Sequence, residues 1–259
     1  MTLKLLVLFF TPLLSGLLVY LVPMGRRTTF KLLLVFAGSY LFSITVIHIL
    51  PELYRHYSNL EWVGLFVLGG FFLQQVLEYF TSGIEHGHIH THTHGDGPGH
   101  HHHGAGDSTT RSMSAIVLLS ALCIHAFLEG GMLAEPAHMG SHYDVNAILI
   151  GIALHRAPAA FALMTVLAFQ LGSFKRALPH LIGFSFAAPV GLLLSSYLTS
   201  HHVLSENGLI YLYALVSGNF LHISTTIVFE SSPEHHFNVK KLSVAIVGAL
   251  VAVLVEQLT

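Results

Sequence analysis

A chain of 259 residues with 53% hydrophobic and only 9% charged residues is too apolar for a water-soluble domain, which carries about 25% charged residues. The formal net charge of -2 excludes a nucleic-acid partner, and the single cysteine, Cys123, excludes an internal disulfide and a thiolate metal cluster. The composition predicts a protein that lies almost entirely in a lipid bilayer.

A membrane-crossing helix needs about 20 mostly apolar residues. Residues 3–22 form one long apolar run with no small-residue cleavage site after it, which predicts a first span and not a signal peptide. Eight stretches qualify as spans: 2–22, 32–51, 61–81, 112–134, 145–170, 178–199, 207–229 and 239–257. The runs are continuously apolar and do not alternate, which predicts helices and not a barrel. The expected fold is an all-α integral membrane bundle of eight transmembrane helices. Three helices occupy 1–81, a His-rich connection covers 82–111, and five helices occupy 112–259.

Lys and Arg set the orientation, because they accumulate in cytoplasmic loops. Arg26, Arg27 and Lys31 fall in the first loop, Arg111 in the third, Lys175 and Arg176 in the fifth, and Lys240 and Lys241 in the seventh. Only Lys4 and Arg55 fall on the other side, and Arg156 lies within a span. The odd loops are therefore expected in the cytoplasm and both termini outside.

The third loop holds nine histidines: His86, His88, His90, His92, His94, His100, His101, His102 and His103. Histidine alternating with Gly and Thr cannot pack a core, so the loop is expected to be disordered without metal. Neutral imidazoles bind zinc and similar cations.

Ionisable residues inside spans are costly and mark function or a packing hydrogen bond. His48 and Glu52 sit four apart at the end of the second span, a spacing that shares one helix face. His125 and Glu129 repeat that spacing inside the fourth span. The fifth span carries His155, Arg156 and Pro158, and the proline cannot donate to the carbonyl of Leu154. Two imidazoles and a carboxylate at His125, Glu129 and His155 suit Zn²⁺ and, less selectively, Fe²⁺, Mn²⁺ or Cd²⁺. Arg156 cannot ligate a cation and cannot lose its proton. It needs an anion, and Glu129 is the candidate. His222 in the seventh span reads either as a core hydrogen-bonding group or as a station on an ion path. Glu135, His138, His142, Asp144, His201, His202 and Glu206 in the even loops read equally as cation collectors or as ordinary polar turns.

These residues resemble the ZIP family of divalent metal transporters. Its fourth-span motif His-Asn-x-x-Asp/Glu-Gly is met by His125, Glu129 and Gly130, and its fifth-span motif His-Glu-x-Pro-His/Glu by His155 and Pro158. His48-Ile49-Leu50-Pro51-Glu52 is similar to the family's His-Leu-Leu-Pro-Glu, and Ala188-Pro189-Val190-Gly191 to its Glu-Pro-x-Gly. The departures fall together. Ala126, Arg156, Ala159 and Ala188 stand where family members supply ligands to a second, adjacent metal. The resemblance implies a single-metal site of His125, Glu129 and His155, with Arg156 in the second metal's place.

It further implies a transporter, not an enzyme, that moves zinc into the cytoplasm by alternating access, with no organic cofactor. His48, Glu52, His222, Glu135 and His138 are candidates for its entrance or exit. The expected setting is a cell membrane (inner or plasma), with the lipid bilayer, divalent metal ions and a second copy of the chain as partners. Two other readings are an intramembrane metal-dependent hydrolase and a metal-sensing or storage protein. No His-Glu-x-x-His motif accompanies the first, and the His loop alone would serve the second.

Overall fold

A computed structural model describes residues 1–21, 27–56, 60–81, 108–134, 145–230 and 239–258. The chain is all-α, with no strand among the described residues. The described residues form eight long helices. α1 is Thr2–Leu17 and ends in a 3₁₀ turn, Leu18–Tyr20. α2 runs Arg27–Ile44, widens into a π-helical turn at Thr45–Ile49, and continues as Leu50–His56. α3 is Leu60–Thr81, α4 Ser108–Met132, α5 Val145–Gln170, α6 Phe174–Ser200, α7 Glu206–Glu230 and α8 Val239–Leu258. The His-rich stretch lies outside the described residues through position 107, and α4 begins at Ser108.

Among the described residues, five helical segments are long and apolar enough to cross a membrane: Thr2–Tyr20, Lys31–Arg55, Leu60–Phe80, Val145–Gln170 and Phe174–Ser200. α4 adds a shorter apolar stretch, Ile116–Met132. Their outward faces carry large apolar side chains such as Leu65, Leu68, Phe72 and Val76 on α3 and Leu250 and Leu254 on α8, all exposed. Such a surface suits acyl chains and not water. The molecule is thus a multi-pass membrane protein.

Helix ends follow local chemistry. Gly172 takes φ +63 between α5 and α6, a left-handed position that suits glycine after a helix. The Ser205 hydroxyl accepts the Gly208 N–H at 3.1 Å and caps the first turn of α7. Pro51 cannot donate to the carbonyl of Ile47, and the turn before it is the π-helical one.

Three apolar clusters reveal the topology. One gathers Leu8 from the start of α1, Ile49 and Leu53 from the end of α2, and Val63 from the start of α3. It also takes Met132, Leu133 and Ala134 at the end of α4, Val145, Ala147–Leu149 and Ile152 opening α5, Leu209 and Tyr213 opening α7, and Ala252 late in α8. A second takes Leu118, Leu122 and Ala126 from the middle of α4, Leu163, Met164 and Leu167 from late α5, and Ala177, Leu181 and Phe184 from early α6. A third joins Leu34 and Val35 of α2 to Ile223 and Ile227 of α7. Successive helices therefore alternate in direction, and the start of α1 and the end of α8 share one end of the bundle. Polar bonds agree: Lys4 Nζ reaches the Leu133 carbonyl at 3.5 Å, and Tyr213 Oη donates to the Ala134 carbonyl.

The helices are held by close backbone approach, the packing mode open to membrane helices that lack a hydrophobic drive towards one another. A Cβ on Gly130 would overlap the Ala188 carbonyl, and a Cβ on Gly191 would overlap that of Phe127. α4 and α6 thus meet reciprocally at two glycines. Gly70 against Leu215 and Gly218 against Val67 do the same for α3 and α7.

Candidate metal centre

His125 and Glu129 lie on α4 between Leu122, which joins the second cluster, and Met132, which joins the first. His155 and Arg156 lie on α5 between Ile152 of the first cluster and Ala160 of the second. The four side chains therefore meet at mid-bundle, where the two clusters abut. All four are buried, Glu129 at 0% exposure and Arg156 at 2%. The α4–α6 glycine contact flanks Glu129 directly through Gly130.

One donor atom each from His125, Glu129 and His155 lies within 4.8 Å of the others. The imidazoles of His125 and His155 meet edge to face, centroids 5.9 Å apart. His125 Nε2 sits 3.0 Å from Glu129 Oε1. Ligands of a tetrahedral zinc, with bonds of about 2.1 Å, stand roughly 3.4 Å apart. The donor separations, from 3.0 Å up to 4.8 Å, bracket that value.

The other Glu129 oxygen, Oε2, faces Arg156 Nη1 at 3.8 Å. Arg156 also extends towards α6, with Nη2 3.4 Å from the Phe184 carbonyl and Cζ 5.0 Å from the Phe184 ring centroid. With both imidazoles neutral, one carboxylate and one guanidinium would leave this buried group with no net charge. Ala126, Ala159 and Ala188 are buried and bring no further ligand atom to it. α1 is tied to the same region of α5: Ser15 Oγ donates to the Ala157 carbonyl, next to Pro158, which the helix accommodates without a break.

The remaining sequence candidates divide. His48 Nδ1 lies 2.6 Å from Glu256 Oε1, so the π-helical turn of α2 meets the far end of α8. Glu52 is buried one turn on, with Arg55 Nη1 3.8 Å from its Oε2. His222 Nδ1 faces Glu78 Oε2 at 3.4 Å and packs edge to face on Phe71. None of these joins the mid-bundle triad as a donor within the same reach. Glu135 and His138, like His86 to His103, lie outside the described residues. Sequence reasoning missed Glu256, Glu78 and Phe184. The first two are acids in otherwise apolar helices and carried the same signal as Glu129. Phe184 acts through its ring and its backbone, and nothing in its residue type announces that.

Four further hydroxyls in the spans are absorbed by their own helices. Thr45, Ser185, Ser217 and Ser224 donate to carbonyls four residues back at 2.7, 2.9, 2.7 and 2.6 Å.

A family model described as ZIP zinc transporter matches residues 81–256. Zinc transporter ZIP9 of Xenopus tropicalis is 31% identical over 126 residues, covering 46% of this chain and 41% of the relative. Zinc transporter ZIP9 of Macaca fascicularis is 33% identical over 111 residues, covering 40% of this chain and 46% of the relative. The match thus spans less than half the length of these relatives.

Proposed function

Because the chain belongs to the ZIP zinc transporter family, we propose that it carries a divalent metal ion, zinc foremost, across its membrane into the cytoplasm through a single-metal site of His125, Glu129 and His155. The observation that carries this reading is the convergence of those three donors from α4 and α5 to within 4.8 Å at mid-bundle. An ion there exchanges its water shell for two imidazole nitrogens and a carboxylate oxygen, and open coordination positions remain for water. Arg156 occupies the second metal's place: two divalent ions beside one carboxylate and one arginine would be poorly compensated.

Transport needs the site to face each side in turn. The alternating helices and the mid-bundle position support such a cycle, in which one group of helices rearranges against another. The excess of Lys and Arg in the odd loops supports an inward direction and termini on the outer side. Imidazoles must be neutral to ligate, so acid on the receiving side favours release. The His-rich stretch 86–103 would then take up or buffer the delivered ion. A hydrolase reading is not favoured, because the family it belongs to is one of transporters.

The test is flux of radioactive zinc into proteoliposomes of purified protein. His125→Ala and Glu129→Ala should each abolish uptake, and deletion of 86–103 should leave the site's zinc affinity unchanged. Full uptake by both point variants would remove the proposed site.

A further inference from the structure

We propose that Arg156 is a tethered competitor of the metal, holding Glu129 in the empty site and yielding that carboxylate when a divalent ion binds. This rests on His125, Glu129 and His155 being the metal site. Glu129 is shared: one oxygen lies 3.0 Å from His125 and the other 3.8 Å from Arg156. A metal drawing on Glu129 must therefore contend with a cation already beside it. Arg156 cannot leave by deprotonation, so it must give way by moving.

The structure provides a second seat. Phe184 of α6 offers its carbonyl at 3.4 Å from Nη2 and its ring face at 5.0 Å from Cζ. A carbonyl and a π face attract a guanidinium without a full opposite charge. The arginine can thus loosen its hold on Glu129 and remain buried on α6. On metal departure it returns to the carboxylate. Arg156 in this way weakens ground-state binding and assists release.

The test titrates zinc into the purified full chain by calorimetry and measures zinc flux in proteoliposomes. Arg156→Gln should bind zinc about tenfold more tightly, about 1.4 kcal/mol, while its maximal uptake rate falls. Its zinc-induced rise in Tm should exceed that of the unsubstituted protein, because its empty site leaves the Glu129 charge without the guanidinium. Arg156→Lys keeps the charge and should stay close to the original affinity. Phe184→Leu removes the ring seat, so zinc should bind more weakly. A folded Arg156→Gln that binds zinc no more tightly overturns the proposal. Should that variant not fold, an unchanged affinity in Phe184→Leu overturns it. Glu129→Ala separates the two levels: original affinity there removes the metal site itself, whereas loss there with no gain in Arg156→Gln removes only the competition.

Discussion

On the proposed reading, single residues decide how many ions the site would hold. His125, Glu129 and His155 converge, and the neighbouring positions that could enlarge the set are Ala126, Ala159 and Ala188, all buried. A methyl group cannot ligate, and Arg156 puts a permanent positive charge where another cation would stand. Anomalous diffraction at the zinc edge should accordingly find one ion among the three donors. Two adjacent ions there would sink the single-site reading. The His125–Glu129 pair was legible in the sequence because an imidazole and a carboxylate four residues apart share a helix face whatever the rest of the chain does, whereas His155 comes from α5 and meets them only by packing. The partners of Arg156, His48 and His222 were not all legible in that way. Glu129 lay close to hand in the reasoning, but Glu256 is 208 residues from His48 and Glu78 sits four helices before His222. Only tertiary packing brings such pairs together.

Among elements, α4 and α6 approach each other most closely beside the candidate site. Their backbones touch at Gly130 and Gly191, next to Glu129. A larger residue cannot be absorbed by a rotamer change, because the obstructing atoms are main-chain carbonyls. Gly191→Leu should lower Tm in detergent by an overpacking cost of about 1–3 kcal/mol or more and should impair zinc flux. Gly183→Leu on the same helix meets open space and should do neither. Equal loss in both variants would argue that α6 is intolerant of bulk in general and that the contact is not special. Helix identity was readable from apolar run length, and the eight expected spans fall on the eight helices. The π-helical turn at Thr45–Ile49 was not readable. A proline at position 51 predicts a disturbed turn, but whether the chain kinks, breaks or widens is settled by what packs around it.

For the whole molecule, alternation of eight helices places the start of α1 and the end of α8 together. The sequence carried this twice, in the even number of spans and in the one-sided distribution of Lys and Arg. Epitope tags at either terminus should be labelled on intact cells, and a tag within 82–107 only after permeabilisation. The reverse pattern would invert the assigned direction of transport. The paired clusters at the two ends of the bundle were not legible, because an apolar residue in a span gives no sign of whether it faces lipid or a neighbouring helix.

The arginine beside Glu129 also has an electrical consequence. In the proposed cycle, with Arg156 paired to Glu129 and both imidazoles neutral, the site without its ion would carry no net charge across the bilayer as it reset. The loaded site carries the two charges of its ion. A membrane potential of about 100 mV, negative inside, would then add roughly 5 kcal/mol to the inward step and nothing to the return. In such a carrier voltage acts on the cargo alone, and the empty protein comes back without working against the field.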